Sequence, residues 1–155
     1  MTNIPQDRYW LVARDKAGLL ERMMRFLAGD AHISFEGFLA ECPFPASLSR
    51  TTDENSILQR STLIPRLDFV ILPLEQDTIA PILEAVLPND RYLKHIVHIQ
   101  IEQHRVLQFG CYDRFHNQCI VCFQGVPIAF LEELKSTGII KTWTRPYNGA
   151  VRWHG

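Results

Sequence analysis

The sequence lacks the motifs that mark several large classes of enzyme. It has no glycine-rich phosphate-binding loop, no nucleophile elbow and no helix motif with paired histidines. No apolar run approaches the length needed to cross a membrane, and there is no internal repeat or low-complexity segment. No recognisable catalytic set supports an enzyme, and we expect a non-catalytic protein without a cofactor.

An excess of charge of one sign is also missing. The chain carries 16 basic and 17 acidic residues, so no overall field attracts nucleic acid or an anionic membrane, and we expect neither as a partner. The opening MTNIPQDRYW has no apolar core of the kind a secretory signal needs, and the four cysteines do not resemble a secreted disulfide framework. We therefore expect a cytoplasmic protein with reduced thiols.

Strand and helix patterns alternate over residues 7–104. Strands are predicted over residues 8–14, 32–44, 67–74 and 95–104. Amphipathic helices are predicted after the first and third of these strands, with Asp15 and Asp77 as their N-caps. This order predicts an α+β, ferredoxin-like βαββαβ core, in which an antiparallel sheet carries both helices on one face.

The remaining residues, 105–155, predict an extension of the same core. A hairpin is expected over residues 106–123, a helix over 127–136 and a short strand over 139–145. Because no linker-like stretch separates the two parts, residues 1–155 are predicted to form a single domain. The polar stretch at 46–61 has no sustained period and is predicted to be a long loop, either functional or disordered.

The turn after the first strand carries a resemblance to a known family. The run DKAGLL, followed by FLAGDAHISFEG, resembles the opening half of ACT domains, ferredoxin-like modules that bind amino acids and related effectors. The resemblance implies a regulatory module with an effector site at Asp15, Gly18 and Leu19, where Asp15 faces a ligand amine. A glycine allows close approach of the backbone, and amides at a helix start can receive a carboxylate. The alternative at this turn is structural, with Asp15 as a helix cap and Gly18 as a packing glycine.

The stretch CYDRFHNQCIVC contains four residues of the types that bind zinc. They are Cys111, His116, Cys119 and Cys122. Their spacing is crowded for a structural zinc site, and Cys119 and Cys122 should point to opposite faces of a strand. A hairpin without metal is therefore the preferred interpretation, with zinc as the alternative. A cysteine nucleophile activated by His116 and Asp113 would need a lowered thiol pKa, of which the sequence gives no sign.

One face of the fourth predicted strand is polar. Its side chains are those of His98, Gln100, Glu102 and His104, and Ser34 and Glu36 should share that side of the sheet. We expect a solvated face, with a metal site or a covered face as alternatives.

A protein-interaction module is the alternative function. Trp143, Tyr147 and Trp153 cluster near the end of the chain, and aromatic residues are favoured at interfaces. Such a module would act as an inhibitor or immunity-type partner of another protein, whereas the effector-binding module would act as a homodimer. Four basic residues near the end of the chain are too scattered for a winged-helix DNA-binding surface, namely Lys135, Lys141, Arg145 and Arg152.

Overall fold

The computed structural model describes residues 8–87 and 93–145. Their secondary structure is α+β. In chain order the elements are β1 (Arg8–Ala13), α1 (Lys16–Leu27), β2 (Ala31–Gly37), a 3₁₀ turn (Leu39–Glu41), β3 (Asp68–Leu74), α2 (Ile79–Val86), β4 (Ile96–Gln103), β5 (Val106–Cys111), β6 (Ile120–Phe123), α3 (Ile128–Ser136) and β7 (Ile140–Thr144). The types and order of the predicted strands and helices are confirmed, except that the second strand ends at Gly37.

All seven strands join one antiparallel sheet. Their order is β3-β2-β4-β5-β6-β1-β7. The expected ferredoxin-like core is not confirmed, because it needs β1 in one four-stranded sheet with β2, β3 and β4. Instead β1 pairs with β6 and β7, so strands of the predicted extension complete the sheet between β4 and β1. The extension is therefore part of the same sheet and not an addition to its edge.

The three helices lie on one face of this sheet and enclose the main core. Alternate strand residues point toward them, including Leu11 on β1, Phe35 on β2 and Phe109 on β5, each at most 1% exposed. The predicted stripe on α1 is buried in the same core, and consists of Leu20, Met23, Met24 and Leu27. Burial of these apolar side chains is what places α1 on the sheet.

The helix ends agree only in part with the sequence. The Asp15 side chain caps α1 as predicted, since it accepts a hydrogen bond from the backbone N–H of Gly18. The prediction for Asp77 was wrong, because Thr78 is the N-cap of α2. The Thr78 hydroxyl lies within hydrogen-bond distance of the carbonyl groups of Pro73, on β3, and Glu75, in the turn after it. In the described residues, no helix is both long and apolar enough to cross a membrane.

The opposite face of the sheet is also covered. The prediction of a solvated polar face was wrong, because five of its six residues are buried, namely Ser34, Glu36, His98, Gln100 and Glu102. The sixth, His104, lies beyond the end of β4 and is exposed. The long connection between β2 and β3 lies over the five buried residues, and we call residues 46–67 the covering loop. It has almost no regular structure of its own, but it packs on the sheet through a small apolar cluster of Leu58, Phe69 and Ile71.

We expect Leu58→Ala to destabilise the protein by about 2–5 kcal/mol, the usual cost of truncating a buried leucine. Leu58 is 0% exposed, whereas Leu63 on the same loop is 76% exposed. Leu63→Ala is the matched control and should change the free energy of unfolding by less than about 0.5 kcal/mol. Urea unfolding followed by circular dichroism measures both. Equal stability of the two variants would mean that the loop does not pack on the sheet in solution.

Candidate functional site

The predicted effector residues lie in a turn whose groups are largely engaged in the fold. One Asp15 carboxylate oxygen accepts the Gly18 N–H at 2.9 Å, and the Leu19 N–H donates to the Asp15 carbonyl. The Leu19 side chain is fully buried, and a side chain at Gly18 would collide with Asp15 and Ile139. The structure therefore places a cap and a packing glycine here. The effector role of Asp15, Gly18 and Leu19 stays a prediction.

A cavity of about 320 Å³ lies beside this turn. It is lined by Lys16, Leu93, Lys94, Arg114 and Phe115. The lining contains cations that suit an anion, but among the described residues that line it there is no carboxylate for a ligand amine. The described part of the lining therefore matches only the carboxylate of an amino acid.

The cysteine-rich hairpin places its thiols on two faces of the sheet. Cys111 and Cys122 belong to the core under the helices, whereas Cys119 belongs to the apolar cluster on the other face. The predicted opposition of Cys119 and Cys122 is confirmed. His116 approaches Cys119 with Nδ1 at 3.9 Å from Sγ. Within residues 8–87 and 93–145, no group of three or more His, Cys, Asp or Glu side chains could hold a metal ion.

These thiols are not activated. Burial raises the pKa of the Cys122 thiol to about 12, and burial together with the nearby Asp113 raises the pKa of the Cys119 thiol. A nucleophilic cysteine needs the opposite shift, toward the thiolate. The hairpin thus packs its cysteines as small apolar side chains.

The polar face holds the covering loop by accepting its backbone N–H groups. The Glu36 carboxylate accepts from Ser61 at 2.7 Å and from Thr62 at 3.1 Å. Gln100 accepts from the N–H of Gln59 at 3.0 Å and donates to the Tyr112 hydroxyl at 3.1 Å. Burial raises the pKa of Glu36, and the two loop N–H bonds partly oppose that shift. A polar row on the sheet is thus used to fix a loop.

His98 holds the same part of the loop through a side chain. Its Nδ1 accepts the N–H of Asp113 at 3.2 Å, so in the neutral ring Nε2 carries the proton. Nε2 lies 2.7 Å from the Thr62 hydroxyl, which can accept that proton in a hydrogen bond. Residues 59–62 are therefore fixed by neighbouring contacts to both β2 and β4.

A cavity with charged walls lies at the edge of the sheet between the covering loop and β3. We call it the arginine cleft, and its volume is about 460 Å³. Arg50, Arg60 and Arg66 line it together with the Asp68 carboxylate at the start of β3. Its apolar wall includes Leu39, Phe44, Phe69 and Val70. The volume falls within the range of small-molecule sites.

The three arginines of the cleft are held to different degrees. The Arg60 side chain is only 9% exposed, bonds Glu54 and lies over the Phe69 ring at 5.0 Å from its centroid. Arg50 donates to the carbonyl groups of Phe44, Pro45 and Leu48. Arg66 donates no hydrogen bond to any residue in the described part of the chain and is exposed. Arg66 is thus the most available of the three.

Sequence reasoning did not find the arginine cleft. Its arginines lie in the aperiodic stretch between β2 and β3, which predicted only a long loop. The available clue was that such a long loop inside a compact chain is often functional.

One member of the predicted aromatic cluster near the C-terminus, Trp143, belongs to the described residues. Trp143 on β7 is half-buried and meets the Tyr9 ring edge-on at a centroid distance of 5.8 Å. Tyr147, Arg152 and Trp153 lie outside the described residues. The described member of the cluster therefore packs against β1.

Comparison with models of known protein families, with curated proteins and with solved structures gives no match. The function must therefore be inferred from the site itself.

We expect Asp15→Ala to lower the free energy of unfolding by about 1 kcal/mol, because α1 loses its capping oxygen. Asp15→Asn keeps an oxygen at the same position and should retain most of the stability. Thermal and urea unfolding of the two variants measure the difference. If Asp15→Ala is as stable as the native chain, the Asp15 side chain is not needed as a cap and its role at this turn lies elsewhere.

Proposed function

We propose that the protein is a non-catalytic regulatory module that binds a small amino-acid-like effector in the arginine cleft. The observation that carries this proposal is the pairing of guanidinium groups and a carboxylate around one cavity of about 460 Å³. An α-amino acid presents a carboxylate and an ammonium group within a few ångströms of each other, so it needs both charges in its site.

Each part of such a ligand has a partner in the cleft. Arg66 and Arg50 can receive the carboxylate, because guanidinium forms paired, charge-assisted hydrogen bonds with it. Asp68 uses Oδ2 to accept the N–H of Leu39 at 3.2 Å, and its other oxygen can face the ligand ammonium group. The apolar wall of the cleft can contact the carbon atoms of the ligand.

The effector class agrees with the one implied by the resemblance to ACT domains, but the location differs. At the turn of Asp15 and Gly18, the capping bond and the packing of α1 already use the groups that a ligand would need. The order of the strands adds no support to an ACT-like core. The proposal therefore rests on the chemistry of the arginine cleft.

Isothermal titration calorimetry with the individual L-amino acids tests this proposal. We expect at least one of them to bind, and Arg66→Gln and Asp68→Asn each to weaken that binding by about tenfold or more, as for loss of a charged hydrogen bond. Arg25→Gln is the matched control, because Arg25 is an exposed arginine on α1 that does not line the cleft. Its variant should bind as the native chain does.

Two results would contradict the proposal. If no amino acid gives a heat of binding, amino acids are excluded as effectors of this protein. Binding that survives in both Arg66→Gln and Asp68→Asn would place the effector at another site, and the Asp15 turn would then be tested with Asp15→Asn.

A protein-interaction module is the second candidate, and one feature of the covering loop favours it. Leu63 and Ile64 are 76% and 92% exposed, although the neighbouring residues 59–62 are fixed to the sheet. Adjacent exposed apolar side chains on an anchored loop suit a partner protein or a second copy of this chain.

We expect the double variant Leu63→Asp with Ile64→Asp to lose any such association and to keep its fold. Sedimentation of the purified chain tests the homodimer, and cross-linking in a native extract tests a stoichiometric partner. Val106→Asp is the control, because Val106 is exposed and apolar but lies on β5. A native chain that is monomeric and captures no stoichiometric partner would rule this candidate out.

A further inference from the structure

We infer that the effector is an amino dicarboxylic acid, an α-amino acid whose side chain carries a second carboxylate. This inference rests on the proposed function of the arginine cleft and names the ligand class for that site. Two features carry it, namely the balance of charge around the cleft and the number of hydrogen-bond donors left available by the fold.

Positive charge exceeds negative charge among the charged residues that line the cleft and the salt-bridge partner of Arg60. Arg50, Arg60 and Arg66 contribute three positive charges, whereas Asp68 in the lining and Glu54, the partner of Arg60, contribute two negative charges. One positive charge is left over. A neutral zwitterion would leave it uncompensated, whereas an amino dicarboxylic acid carries one net negative charge at neutral pH and would balance it.

The donors are also sufficient for two carboxylates. Arg66 is exposed and interacts electrostatically with Glu54 but donates no hydrogen bond to a described residue, so its N–H groups can make a paired contact with one carboxylate. Arg50 donates to loop carbonyls through Nε and Nη2, which leaves its Nη1 for a second carboxylate. Because both arginines line the same cavity, they can bind the two carboxylates of one ligand.

The apolar wall favours this class over a large apolar side chain. Arg60 lies over the Phe69 ring, so that ring offers less open surface than its place in the lining suggests. An amino acid with a bulky apolar side chain has only its α-carboxylate as an acceptor, so a second guanidinium group covered by that side chain would be buried without an acceptor, which costs desolvation energy. A short aliphatic chain that ends in a carboxylate avoids this cost.

The experiment compares isosteric ligands by calorimetry on the full chain. The probes are L-glutamate against L-glutamine and L-aspartate against L-asparagine, with L-leucine and L-phenylalanine as apolar probes. We expect at least one acidic amino acid to bind about tenfold or more tightly than its amide, because the amide loses a charged contact. Equal affinity within a pair that binds, or tighter binding of an apolar probe, would overturn the inference.

Variants of the cleft arginines identify the guanidinium group that binds the second carboxylate. We expect one of the two variants Arg66→Gln and Arg50→Gln to reduce the preference for the acid over its amide to less than about twofold. The other variant should weaken the binding of acid and amide by the same factor. Arg25→Gln should keep the native preference. If neither cleft variant alters the preference, the second carboxylate does not bind at the cleft arginines and the inference fails.

Arg50 also holds three loop carbonyls, so Arg50→Lys, which retains the charge, accompanies Arg50→Gln as a check on folding. The outcomes separate the two proposals. Binding of amino acids that depends on Arg66 and Asp68 but does not distinguish acid from amide would overturn only this inference. No binding of any amino acid would overturn the proposed function as well.

Discussion

The structure depends on the hydrogen bonds that fix the covering loop to a polar row of the sheet. Glu36 accepts two backbone N–H groups of the loop, and Gln100 accepts a third. Burying a polar group costs free energy unless the group is hydrogen-bonded, and here the side chains of the sheet and the backbone N–H groups of the loop bond each other. Because Arg50, Arg60 and Arg66 all belong to this loop, the same bonds hold these arginines in the lining of the arginine cleft.

The arginine cleft joins a rigid element to an irregular one. β3 contributes Asp68 and apolar side chains from a strand paired along its length with β2, whereas the arginines come from the irregular loop. Sites built this way combine a rigid strand with a loop whose residues can vary without disturbing the fold. The chain as a whole is nearly neutral, so the local excess of arginine is a property of the loop and not of the composition.

Local features of the fold could be predicted from the sequence, and nonlocal features could not. The stripe on α1, the cap at Asp15 and the hairpin of β5 and β6 depend on neighbouring residues, and all three are confirmed. The sheet order depends on the pairing of β1 with β6 and β7, which no local pattern encodes. The polar face of β4 has the alternation of polar and apolar residues that is typical of a solvated strand. A loop whose backbone N–H groups bond to that face requires the same alternation as water does, so the sequence does not distinguish the two. The arginine cleft was missed for a related reason, because its arginines have no period and come together only when the loop lies on the sheet.

The position of β1 has a consequence for synthesis of the chain on the ribosome. β1 is made before the other six described strands, whereas its pairing partners β6 and β7 are the last two of them to be made. Until they emerge, both edges of β1 lack their partners, and its apolar residues have only α1 nearby in sequence. Contacts between such distant segments slow folding, because a long loop must close before they form. The sheet therefore closes late, and a nascent chain that stops before β6 has no partner strand for its first strand.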